Sequence, residues 1–128
     1  MHHGDLFKPL QGRSYDLILA NPPYVAAAEM AFAGGLGLEI SLQKVPREKG
    51  MTRNDAVIFS ESNGRLLVEV EKNAAKKFEE IFDKDPCARI GSVTGGSRFS
   101  VKGLNGEEAI GATIKSLKAA WKKPLNWS

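Results

Sequence analysis

Six residues, Tyr15-Asp16-Leu17-Ile18-Leu19-Ala20, followed closely by Pro22-Pro23, constrain this chain most. Leu17, Ile18 and Leu19 form a short continuous apolar run, as in a strand buried on both faces. Neither proline can donate to a ladder, so the strand must stop there. Both prolines suit the first turn of a helix. Val25 to Ala33 is Ala-rich with Glu29 and Met30 and reads as that helix, and Gly34-Gly35 closes it. Leu38-Glu39-Ile40-Ser41-Leu42 then alternates apolar and polar, the pattern of a half-buried strand. Residues 15–42 thus read as a strand–helix–strand crossover unit.

The rest of the chain alternates in the same way. Lys44 to Arg53 is a polar loop, and Ala56 to Ser60 is short and reads equally as helix or strand. Arg65 to Glu71 is a strand with Leu66, Val68 and Val70 on one face. Asn73 suits a helix N-cap, and Ala75, Phe78, Ile81 and Phe82 form a helical stripe. Cys87 to Thr94 and Arg98 to Lys102 read as strands joined by a Gly95-Gly96 hairpin turn, with Glu108 to Ile114 a further strand. Ser116 to Lys122 is an amphipathic helix with Leu117, Ala120 and Trp121 on one side, stopped by Pro124. This pattern predicts one α+β domain over residues 1–128, a mixed β-sheet with helices packed on one face.

Length and composition exclude several classes. The 128 residues suit one domain of about 100–200 residues. No apolar stretch approaches the roughly 18 residues a membrane helix needs, and no basic-then-apolar leader is visible. The net charge of +3 is spread along the chain, and the basic run Lys115 to Lys123 reads as a solvated helix face; with few aromatics, no nucleic-acid partner is expected. The lone Cys87 forms neither an intrachain disulfide nor a zinc cluster and reads as a small buried hydrophobe, consistent with a reducing cytoplasm. His2 and His3 read as part of a flexible terminus, and no metal site is expected.

Two resemblances follow from particular residues. Asp5-Leu6-Phe7 and Tyr15 to Val25, with Asn21-Pro22-Pro23-Tyr24 at the centre, resemble the S-adenosylmethionine-dependent glutamine methyltransferases. By that resemblance Asn21 and Pro22 would align an amide nitrogen and Tyr24 would pack on the substrate. The glycine-rich cofactor loop of that fold has no counterpart here, so Asn21-Pro22-Pro23-Tyr24 is expected to act as a vestigial motif, a turn from strand to helix.

From about Ala27 the chain looks like a different family. Ala28 to Gly37, Val45-Pro46, Phe59 to Arg65, Ala88 to Val93 and the closing Trp121 to Leu125 are similar to the C-terminal end of phosphoribosylformylglycinamidine synthase. That resemblance implies the C-terminal-domain fold of the aminoimidazole ribonucleotide synthetase superfamily and a parent ligase of purine biosynthesis that uses ATP and magnesium. Ser60, Glu61, Ser62, Asn63 and Arg65 match a family signature and are the implied substrate-binding residues. Read without the resemblance, they form a loop that bonds its own backbone. The join divides the chain into residues 1–25, methyltransferase-like, and 26–128, synthetase-like.

The expected product is a chimeric or fragment domain that folds but does not catalyse alone and holds no cofactor in isolation. A fragment retaining weak ATP or ribonucleotide binding is the alternative. So is a module that homodimerises through unpaired sheet edges or uncovered apolar faces. An amide methyltransferase fragment is a further one.

Overall fold

The computed structural model describes residues 15–20, 24–59 and 66–125, with side chains from residue 27 onward within those spans. The chain runs β1 (Tyr15–Ala20), α1 (Tyr24–Gly34), β2 (Gly37–Ser41), a 3-10 turn (Leu42–Lys44), α2 (Asn54–Phe59), β3 (Leu66–Glu71), α3 (Lys72–Ile81), β4 (Ala88–Thr94), β5 (Arg98–Lys102), β6 (Glu108–Thr113), α4 (Ile114–Lys122) and a final 3-10 turn (Lys123–Leu125).

The six strands form one mixed sheet in the order β3-β1-β4-β2-β5-β6. β4 is antiparallel to both β1 and β2, which are therefore parallel to each other with β4 between them. The crossover unit read from residues 15–42 is real but split. β2 and β5 pair in parallel, and β3 and β6 close the edges by antiparallel pairing.

Packing follows the alternation. Leu38 and Ile40 on β2 lie opposite Phe99 and Val101 on β5, and all four are buried. α1, apolar on nearly every side, fills the space between this face and α4. Ala27, Ala31 and Phe32 are buried, and the Phe32 ring lies 5.6 Å from Trp121. Gly35, with φ +68°, ends α1 in the left-handed conformation that glycine adopts without strain. Thr113 caps α4, its hydroxyl oxygen accepting from the Ser116 N–H. α3 stands apart, against β1 and β3, with Glu79 bonded to Arg89 at 3.0 Å. Arg89 follows core-facing Ala88 in β4, so this helix is held from the outer side of the sheet. The expected α+β architecture, a mixed sheet with helices, is the one that forms.

Four local expectations change. Gly95-Gly96 is not a hairpin turn: β4 and β5 are separated by β2, and the turn arches over the start of β2, where the Gly37 N–H donates to the Gly96 carbonyl at 2.8 Å. Asn73 is not an N-cap, since α3 begins at Lys72 with Glu71 in that place and no side-chain cap bond. Ile81 leaves the apolar stripe of α3 and is exposed, because at 3.6 residues per turn it points roughly 120° away from buried Ala75. In β3 the inward residues are Leu67 and Glu69, not Leu66, which is exposed.

Candidate functional site

Ser60, Glu61, Ser62, Asn63 and Arg65 lie outside the described residues, between α2 and β3. Asn21, Pro22 and Pro23 also lie outside them, as do His2 and His3. Tyr24 opens α1, but its side chain is not among those described. The structure does define the two elements that carry the Ser60–Arg65 segment. α2 is anchored at its start, where the Asn54 side-chain oxygen accepts from the Leu104 N–H at 2.8 Å. Gln43 donates to the Leu104 carbonyl at 3.0 Å, tying the same loop to the end of β2. Arg47 donates to the carbonyls of Leu42, Gln43 and Val45, which fixes the 3-10 turn. Gly103 fits closely here, since a Cβ would meet the Asn54 amide at 2.6 Å. Val57 and Ile58 pin α2 into the core, while Phe59 and Leu66, which flank the segment, are 68% and 66% exposed. Two large apolar side chains thus stand in solvent at the described ends on either side of residues 60–65.

A second feature lies under α1. Glu69 projects into a cavity of about 20 Å³ walled by Met30, Ala31, Gly34, Leu36, Leu38 and Val93. The cavity is far below the roughly 300–1,000 Å³ of a ligand pocket. Its Oε1 is buried without a hydrogen-bond partner. Burial pushes the Glu69 carboxyl above the ordinary glutamate range, because desolvation penalises the charged form. A folded-state pKa raised above the unfolded one means that the folded chain binds more protons. Stability therefore falls as pH rises from the ordinary range through the raised value. Replacing Glu69 with Gln is expected to raise the melting midpoint at about pH 8, with the gain shrinking toward about pH 5. Melting curves across that range test this, and a gain independent of pH would sink it.

Cys87 is half-buried and free. Burial, then the charges of Glu79 and Asp85, push its thiol up, which leaves little of the nucleophilic thiolate. Among the described residues no three His, Cys, Asp or Glu side chains gather to hold a metal ion. Nor, among the same residues, is any helix long and apolar enough to cross a membrane. The lysines of α4 are exposed, in keeping with a solvated face.

A split strand–helix–strand unit in a mixed sheet, with α1 and α4 packed together over its core, defines the class: an α+β domain built on a single mixed sheet. The chain superimposes on Thermotoga maritima PurL complexed with ADP with a TM-score of 0.66 at 22% identity, covering 77% of this chain and 17% of that one. Escherichia coli HypE, a hydrogenase maturation protein, gives 0.54 at 25% identity over 74% of this chain and 33% of that one. The chain belongs to the family described as AIR synthase related protein, C-terminal domain, whose model matches residues 24–103. It is 36% identical over 103 residues to phosphoribosylformylglycinamidine synthase subunit PurL of Deinococcus radiodurans, covering 79% of this chain. It is 34% identical over 97 residues to the same subunit of Thermococcus sibiricus, covering 76% of this chain. Each match spans 13% of the relative's length.

Proposed function

We propose that this chain is a domain-sized piece derived from a phosphoribosylformylglycinamidine synthase subunit, and that it folds without turning over substrate on its own. The observation that carries this reading is the family match over residues 24–103, set against the 13% of the relatives' length that the chain spans. An active site shared with other domains would need carboxylates and phosphate-binding loops from elsewhere in a longer protein. Ser60, Glu61, Ser62, Asn63 and Arg65 would then contribute hydroxyls, a carboxylate and a guanidinium to a bound substrate, the guanidinium suited to phosphate oxygens.

Incubation of the full chain with formylglycinamide ribonucleotide, ATP, magnesium and ammonia is the direct test. No ADP release above the blank is expected, and sustained release overturns the reading. A saturable melting shift with ATP and magnesium, lost in Arg65→Ala, would favour the alternative of a fragment that keeps weak nucleotide binding. Homodimerisation through the edges β3 and β6 is a further proposal, read by sedimentation at two concentrations. The methyltransferase-like origin of residues 1–25 also stays a proposal, since both relatives named above are synthase subunits. No melting shift is expected with S-adenosylmethionine.

A further inference from the structure

The face of the sheet turned away from α1 and α4 carries polar side chains that alternate with the core. The register places Ser92, Glu39 and Ser100 on one rung, and Ser41 beside Lys102 two residues along. Lys44 reaches the same place from the 3-10 turn that follows β2. β4 bulges here, its pairing with β1 stepping from Gly91 to Arg89 past Ile90, and Gly91 adds no side chain. The result is a groove of about 220 Å³ over β4, β2 and β5, roomy enough for a small ion with several oxygens.

Charge gives the groove its meaning. Three arginines outside it are each ion-paired with a carboxylate: Arg53 with Asp55, Arg89 with Glu79 and Arg98 with Glu108. Glu108 pairs across the sheet with Lys102 and is the carboxylate best placed to neutralise it. Arg98 takes Glu108 instead, at 2.6 and 2.8 Å, and the Ser100 hydroxyl donates to it at 3.0 Å. Among the described residues neither Lys44 nor Lys102 has an ion-pair partner. The Ser41 hydroxyl makes no cap bond to the turn it precedes, which leaves a donor between the two ammonium groups.

We infer that this groove binds a small oxyanion of the phosphate class, held between Lys44 and Lys102 with Ser41 donating, and with Glu39 setting a repulsive limit on one side. The inference goes beyond the synthase reading and does not depend on it.

Titration of the isotopically labelled full chain with inorganic phosphate at low ionic strength, followed by amide chemical shifts, tests it. The amides of Ser41, Lys44 and Lys102 are expected to shift and saturate together. Lys44→Gln and Lys102→Gln should each weaken binding by about three- to ten-fold, and Glu39→Gln should tighten it about two-fold or more, since removing a like charge acts opposite to removing an attractive one. All three side chains are exposed, so folding survives each change, and unaltered melting midpoints confirm that. Shifts spread equally over Lys115, Lys118 and Lys122, or a Glu39→Gln change that leaves affinity unmoved, would overturn the site.

Discussion

Deletion of residues 1–23 is expected to abolish the cooperative melting of this chain. β1 is an interior strand, pairing over six residues with β3 and over four with β4. Its loss removes two ladders at once and takes from β3 the strand it pairs with. Each ladder bond contributes a net stabilisation of about 1 kcal/mol, and a domain's whole margin is about 5–15 kcal/mol. Ile18→Pro separates the strand's contribution from that of the residues before it, since proline removes a ladder donor from the middle of a sheet, and a buried acceptor left without its partner costs about 1–3 kcal/mol. Circular dichroism melting of both variants is the measurement. A deletion variant that melts as sharply as the full chain would make β1 a passenger.

The second large effect falls on one glycine. Gly91 faces Ile40 on β2 and Leu17 on β1, at the bulge of β4. A Cβ built there would strike the Glu39 carbonyl oxygen and come within 3.0 Å of the Ile40 Cα. Both are backbone atoms in a paired strand, so neither can rotate aside. Gly91→Ala is therefore expected to cost about 3 kcal/mol or more, above the usual range for overpacking, because the strands themselves must part. At about 2–8 °C per kcal/mol the melting midpoint should fall by roughly 10 °C or more. Gly95→Ala is the control: a Cβ there meets nothing, and a change within about 0.5 kcal/mol is expected. Equal losses for the two variants would show that the close approach at Gly91 is relieved at small cost.

Most elements were legible because their punctuation is strong. The run Leu17-Ile18-Leu19 before two prolines, Gly34-Gly35 after an Ala-rich stretch, and Pro124 after an amphipathic one each leave little choice. Strand neighbours were not legible, because nothing local in β1, β2 or β4 records that the third inserts between the first two. The hairpin expected at Gly95-Gly96 failed for that reason. β3 was misread by one residue, since Leu66-Leu67-Val68 is apolar on both faces and period-two alternation then fixes no register. A one-residue slip hides Glu69 on the outside when it belongs under α1. The Ser60–Arg65 signature was named by resemblance and not by geometry. Glu39, Ser41, Lys44 and Lys102 went unremarked because each occupies an ordinary polar position on an alternating strand or loop. Only the sheet order brings them together.

The insertion of β4 between β1 and β2 also bears on how the protein is made. β1 leaves the ribosome about 70 residues ahead of the strand that separates it from β2 (Ala20 to Ala88). At roughly 5–20 residues per second, that is several seconds. Throughout that wait Leu17, Ile18 and Leu19 have no β4 ladder, and β2 lacks both of its neighbours. β1 can pair with β3 once residue 71 is made, but β2 stays unpaired and β1 keeps one open edge until the centre of the sheet is synthesised. That interval is open to holding chaperones and to mispairing between neighbouring nascent chains.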